Sequence, residues 1–200
     1  MNSKSKNISR RLKTLYILLA CWIAFIWIHS MIPAEASSEE SQFVGRLIRP
    51  ILEIFIGQGA VTDFIVRKLA HFSEYAILGM LLCGILLTRL SMAASVSTAT
   101  ESAQIITSTD ADVSDSKSLC SGERNRTFAT RAVTSWYHWS YILLLVLAVA
   151  VIDESIQLIT PGRSSQVTDV LIDTSGGLTG IVVLRILSYM LLAALGKKGT

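Results

Sequence analysis

The sequence has few charged residues and no strong excess of either sign. Only 16% of its 200 residues are charged, whereas 51% are hydrophobic, and the formal net charge is +3. Soluble globular domains carry about 25% charged residues, so this balance excludes that class and indicates a membrane protein. The basic residues lie in short clusters beside apolar runs, which excludes a broad basic surface. We therefore expect membrane lipid as a partner and no nucleic acid.

The three cysteines do not form a recognisable motif. Cys21 and Cys83 lie within apolar runs, where thiols act as small hydrophobic groups, and Cys120 has no nearby partner in the sequence. There is no HExxH metal motif and no G-x-S-x-G nucleophile motif. The sequence therefore predicts neither a disulfide framework nor a cofactor.

Four long apolar runs are present instead, at about residues 15–32, 69–90, 139–159 and 170–195. A helix of about 20 apolar residues crosses a bilayer core about 30 Å thick while satisfying its own backbone hydrogen bonds. The runs predict an all-α integral membrane bundle of four transmembrane helices. A cleaved signal peptide ending near MIPAEA is the alternative for the first run. Its length, beyond the usual apolar region of about 7–15 residues, favours an uncleaved helix.

Basic residues before the first run and in the second loop predict that both termini are cytoplasmic. Residues 42–57 have helical apolar spacing around Pro50 and predict either a broken amphipathic helix or a short packed loop helix. The predicted organisation is a basic N-terminus (1–13), the first two helices with their outer loop (14–90), a polar flexible linker (91–130), the last two helices (131–195) and a tail (196–200).

Polar residues occur inside or beside these runs, near the ends that the predicted topology places outside. A charged side chain facing lipid costs about 2.5–3.5 kcal/mol at the helix centre, so we expect these side chains to face one another. Gly176, Gly177 and Gly180 predict a close approach to a neighbouring helix. The candidate residues are Lys68, His71, Glu74, Asp153, Glu154, Gln157, Arg163, Asp169 and Asp173.

Two of these stretches resemble the signatures of VanZ-like membrane proteins. RKLAHFSEYAILG (67–79) is similar to the first signature, and DESIQLITPGRSSQVTDVLIDTSGGLTG (153–180) to the second. HSMIP (29–33) is similar to the Ser-x-x-Pro that closes the family's first helix. The resemblance implies four helices in a bacterial plasma membrane and an association with resistance to glycopeptides such as teicoplanin, but no known reaction. Asp173 departs from it, because the family generally has asparagine there.

The candidate residues allow several functions. In a binding protein, Lys68, Glu74, Gln157, Arg163, Asp169 and Asp173 would hold a lipid headgroup, a lipid-linked cell-wall precursor or a glycopeptide. In an enzyme, His71 would be the general base, tuned by Glu154 or Asp153, with Arg163 clamping an anion. A metal bound by His71, Glu154 and His29 is a further alternative. If the candidate residues neither bind a ligand nor catalyse a reaction, they would form a buried polar network that only fixes the packing of the helices.

Overall fold

The described part of the chain is helical. The structure, a computed structural model, describes residues 3–57, 59, 61–107, 119–163 and 165–196. Within them are five helices: α1 (Ser3–Ser30), α2 (Ala34–Ile56), α3 (Asp63–Thr107), α4 (Leu119–Ile159) and α5 (Val167–Gly196). The predicted all-α class is therefore confirmed.

Four of the described helices contain segments long and apolar enough to cross a membrane. These segments are Lys6–Ser30, Asp63–Ala93, Tyr137–Ile159 and Val167–Leu191. Many of their apolar side chains are exposed, among them Ile17, Leu144 and Ile186. In water this would be a large unfavourable surface, whereas hydrocarbon accepts it without cost. The chain is therefore a multi-pass membrane protein, and the side on which its termini lie stays a prediction.

Helix α3 is the centre of the bundle, since it contacts each of the other four helices. The buried apolar core combines its side chains with residues of α1, α4 and α5. Tyr75 and Leu78 of α3 are fully buried there, against Ile26 of α1 and Val146 of α4. Because the first turns of α3 lie directly before this core, the core fixes the position of the polar residues at 67–74.

Glycines allow α3 and α5 to pack with their backbones in contact. A Cβ added at Gly180 would meet the carbonyl group of Ala76, and one at Gly176 would meet the carbonyl group of Phe72. The predicted close approach is therefore made against α3. It brings the first turns of α5 beside the first turns of α3, where most of the candidate polar residues lie.

Helix α2 differs from the helix predicted over residues 42–57. It begins at Ala34 and runs through Pro50 without a break. Pro50 has no N–H to donate, so α2 lacks one backbone hydrogen bond there. The helix accommodates this loss because Pro50 lies on its exposed side. Against α3, Arg49 Nη2 lies 3.1 Å from Asp63 Oδ1. The opposite side exposes Leu47, together with other large apolar residues, as expected of a helix lying on a membrane surface.

The predicted linker at 91–130 lies partly outside the described residues. Helix α3 continues to Thr107 and α4 begins at Leu119, so helical structure extends into both ends of that segment. Residues 108–118, and residues 197–200 of the predicted tail, are not among those described. The boundaries of the linker and the tail stay predictions.

Candidate functional site

One end of the bundle collects the polar side chains. The ends of α1 and α4 meet the beginnings of α3 and α5 at this level, which we call the polar end. Ser30 Oγ, at the end of α1, donates a hydrogen bond to Asp153 Oδ1 of α4. His29 Nδ1 lies 3.1 Å from Glu74 Oε1 of α3. Helix α1 is thereby joined to both α3 and α4 through the polar side chains at its end.

Asp153 is the most buried acidic residue of the polar end, with an exposed fraction of 0%. Gln157, one turn later on α4, donates from Nε2 to Asp153 Oδ2 at 3.1 Å. His71 Nδ1 lies 3.9 Å from the same oxygen. That separation is too long for a hydrogen bond, so Ser30 and Gln157 hold Asp153 while His71 faces it across a gap.

Asp173 lies on the other side of His71. Its Oδ1 is 3.8 Å from His71 Nδ1, again beyond hydrogen-bond distance. The residue is 1% exposed. Neither carboxylate oxygen has a hydrogen-bond partner among the residues that the structure describes. The sequence placed Asp173 in the site, and the structure shows that it is buried there without a donor.

The turn between α4 and α5 is held by Arg163. Its Nε donates to the backbone carbonyl of Ile32 at 3.0 Å, and its Nη2 to that of His29 at 3.5 Å. Burial and the nearby Arg67 lower the pKa of Arg163, although an arginine keeps its charge in proteins. Its Nη1 is buried with no partner among the described residues. One donor of a positive guanidinium is therefore left for a ligand.

Three further contacts orient the remaining candidate residues. Glu154 Oε2 accepts a hydrogen bond from the backbone N–H of Gln166 at 3.1 Å, which fixes the start of α5. Lys68 forms an ion pair with Asp169, so α3 and α5 are linked by charge as well as by packing. The backbone carbonyl of Glu74 accepts a hydrogen bond from Trp22 Nε1 at 2.9 Å.

Two cavities meet at this end. The smaller, of about 140 Å³, is polar, and we call it the polar cavity. The larger, of about 560 Å³, lies among α1, α2 and α3, and we call it the apolar cavity because Phe25, Phe43 and Val66 line it. Arg67 and His71 line both cavities. A ligand with a charged head and an apolar tail would find both environments side by side.

The structure brings all nine predicted site residues to the polar end. Glu74 lines the apolar cavity, and Asp153 lies behind His71. The other seven line the polar cavity: Lys68, His71, Glu154, Gln157, Arg163, Asp169 and Asp173. The roles assigned to them stay predictions.

Some residues of the site were not predicted. Ser30 and Arg67 were not among the candidates, although Arg67 is one turn before His71 on the same face of α3. That spacing was the available signal.

The metal set of His71, Glu154 and His29 is also disfavoured, because His29 faces Glu74 and Glu154 faces the backbone of Gln166.

Comparison with known families matches the chain over the whole region that forms the site. The description of the matching family is VanZ/LLP1, and the match covers residues 15–118 and 126–188. Comparisons with curated proteins and with solved structures find no match. The matched ranges include both signature-like stretches and every residue of the polar end described above. The chain therefore belongs to the VanZ/LLP1 family.

Proposed function

We propose that this protein binds the anionic headgroup of a lipid at the outer face of the bacterial plasma membrane. The lipid is a phospholipid or a lipid-linked cell-wall precursor. By holding it, the protein contributes to tolerance of glycopeptide antibiotics of the teicoplanin type, which act on the cell envelope. The observation that carries the proposal is the free donor of Arg163 in a cavity that adjoins an apolar one.

The polar cavity suits an anion at its arginine side. Arg163 is half-buried, whereas Asp173 is 1% exposed, so the carboxylates lie deeper than the guanidinium. Arg67 also lines the cavity. Guanidinium groups bind phosphate through paired hydrogen bonds, which strengthen when water is excluded. We therefore expect a phosphate to sit between Arg67 and Arg163, above the acidic residues.

The apolar cavity favours a lipid over a free phosphate. It adjoins the polar cavity through Arg67 and His71, and Phe25 and Phe43 contribute aromatic surface. An acyl or prenyl chain is already in hydrocarbon before it binds, so its gain here comes from packing contacts with the lining side chains, which inorganic phosphate cannot make. Neither cavity by itself requires an amphiphilic ligand, but the two side by side match a ligand that has both a charged head and an apolar tail.

A membrane-embedded enzyme is the second candidate function. His71 lies at the junction of the two cavities, where the headgroup of such a lipid would join its tail. There it would act as a general base, taking a proton from a water molecule that attacks the phosphorus of the headgroup ester while the ester oxygen leaves as an alcohol. Asp153 Oδ2, at 3.9 Å from His71 Nδ1, would have to approach to orient the ring. A changed lipid in cells that make the protein would favour this function over binding.

Arg163→Gln is expected to lower the affinity for an anionic phospholipid by about tenfold or more, because a charged hydrogen bond contributes about 1.5–3 kcal/mol. Purified protein in detergent would be mixed with phosphatidylglycerol, and separately with inorganic phosphate, and the bound fraction measured by native mass spectrometry. The control is Arg89→Gln, about 27 Å along α3 from His71 at about 1.5 Å per residue. Equal retention by Arg163→Gln and the control would contradict the proposal. If the melting temperature of Arg163→Gln is below that of the unchanged protein, Arg67→Gln is tested in its place.

The outward orientation of the polar end has its own test. In a variant with Cys21, Cys83 and Cys120 replaced by alanine, a cysteine at the exposed Glu35 should react with an impermeant maleimide in intact cells. A cysteine at the exposed Ser91, two residues before the other end of the spanning segment of α3, should react only after lysis. The reverse pattern, measured by a gel shift of the labelled protein, would place the polar end in the cytoplasm.

A further inference from the structure

We infer that His71, Asp153 and Asp173 form a binding site for a divalent transition-metal ion such as Zn²⁺ or Mn²⁺. The inference concerns the floor of the polar cavity and does not depend on lipid binding. It replaces the ligand set considered from the sequence by one in which α3, α4 and α5 each supply one ligand.

The geometry leaves room for an ion among the three side chains. One ligand atom from each residue lies within 4.8 Å of the other two. His71 Nδ1 is 3.9 Å from Asp153 and 3.8 Å from Asp173, too far for hydrogen bonds. Ligands about 2.0–2.2 Å from a tetrahedral metal lie about 3.4 Å apart, so each donor need move by less than about 1 Å.

Asp173 provides an independent reason to expect a cation. Its carboxylate is buried, and neither oxygen has a hydrogen-bond partner among residues 3–57, 59, 61–107, 119–163 and 165–196. Burying a carboxylate in a membrane protein without any partner is strongly unfavourable. His71 is the residue that Asp173 faces, and at 3.8 Å it does not donate to it. A metal ion between them gives both side chains a partner.

The charges of the polar end point to an ion carrying two positive charges. Five acidic residues belong to it, and the permanent cations among the described residues there are three. When all are ionised, two negative charges remain uncompensated, which a divalent ion would balance. The acidic residues are Glu74, Asp153, Glu154, Asp169 and Asp173, and the cations are Arg67, Lys68 and Arg163.

The surroundings of Asp153 resemble those of a metal ligand. Ser30 donates to one of its oxygens and Gln157 to the other. Ligating carboxylates are commonly held by such outer hydrogen bonds, which fix their orientation before the metal arrives. Because Ser30 comes from α1, all four membrane-spanning helices contribute to holding the proposed ligands.

The donor set favours zinc or manganese over magnesium or calcium. One imidazole and two carboxylates mix nitrogen and oxygen donors, whereas magnesium and calcium prefer oxygen alone. His71 and Asp173 also line the polar cavity, through which the ion and a fourth ligand such as water would enter. An open position of this kind would let a bound phosphate contact the ion.

Metal binding would be measured on the full-length protein purified in detergent with a tag that contains no histidine, after removal of metals with EDTA. Calorimetry with Zn²⁺ alone should give one site per chain. Asp173→Asn, which keeps the shape of the side chain, should weaken it at least tenfold. Asp63→Asn, in the half-exposed pair with Arg49, is the control and should bind like the unchanged protein. Bound Mn²⁺ should show nitrogen hyperfine coupling by electron spin echo, lost in His71→Ala.

Two results would overturn the site. One is binding of less than one Zn²⁺ per chain, and the other is equal binding by Asp173→Asn and the control. Neither depends on the proposed function, since no lipid is present. Conversely, phosphatidylglycerol retention is measured in EDTA, so its loss in Arg163→Gln is judged without the metal. Asp173→Asn should keep the melting temperature of the unchanged protein without metal, which shows that it folds.

Discussion

Gly180→Ala is expected to lower the free energy of unfolding by about 1–3 kcal/mol, the usual cost of forcing extra volume into a packed interface. The added Cβ would overlap the carbonyl group of Ala76, a backbone group that cannot rotate away. Helices α3 and α5 would have to separate. The measurement is a titration of the folded protein with SDS in mixed micelles, followed by tryptophan fluorescence.

Gly84→Ala is the matched control for this variant. A Cβ at Gly84 would meet only the ends of the Leu184 and Leu15 side chains, at 3.8 and 3.9 Å. Alanine is also the better helix former by about 1 kcal/mol, so this change should leave stability unchanged or raise it. If both variants lost the same stability, the close contact of α3 with α5 would be wrong.

If the protein supports teicoplanin tolerance as proposed, His71→Ala and Glu154→Gln are each expected to return cells that make it to the tolerance of cells without it. Glutamine at 154 can still accept the hydrogen bond from the backbone of Gln166, so the turn should persist without the charge. The carboxylates nearest His71 Nδ1 are beyond hydrogen-bond distance, so its truncation removes no hydrogen bond to them. Tolerance is measured by growth in teicoplanin, and abundance by immunoblot of membranes.

His138→Ala and Glu35→Gln are the controls, since they make the same changes outside the cavities at the polar end. They should keep both tolerance and abundance. A purely structural network predicts another result: His71→Ala and Glu154→Gln would lower the free energy of unfolding by about 1–3 kcal/mol. Tolerance would then fall only in proportion to abundance, and the binding function would be contradicted.

The fold could be predicted from the sequence because the membrane restricts what an apolar run can do. A run of about 20 apolar residues has to be a helix, and the four runs each became one. The family was also predicted correctly, from motifs whose order and spacing are specific. Helix α2 was predicted less well, since its first residues are polar and Pro50 suggested a break that the helix does not have.

Which residues lie at the polar end could be predicted from the direction in which each helix crosses the membrane. The contacts among those residues could not. Asp153 and Glu154 are adjacent in the sequence, yet the first accepts bonds from Ser30 and Gln157 and the second from the backbone of Gln166. Which carboxylate faces His71 depends on the rotation of α4 about its axis. That rotation is set by packing against α3 and α5, and no local pattern in the sequence specifies it.

The apolar cavity is open on the side of α2, where two of its lining residues, Phe43 and Val44, are exposed. A lipid could therefore slide in from the surrounding leaflet with its acyl or prenyl chain never leaving hydrocarbon. Water-soluble competitors would have to arrive by the other, polar route. The selectivity of the site for lipids over water-soluble ligands would then depend on the direction of approach as much as on headgroup chemistry.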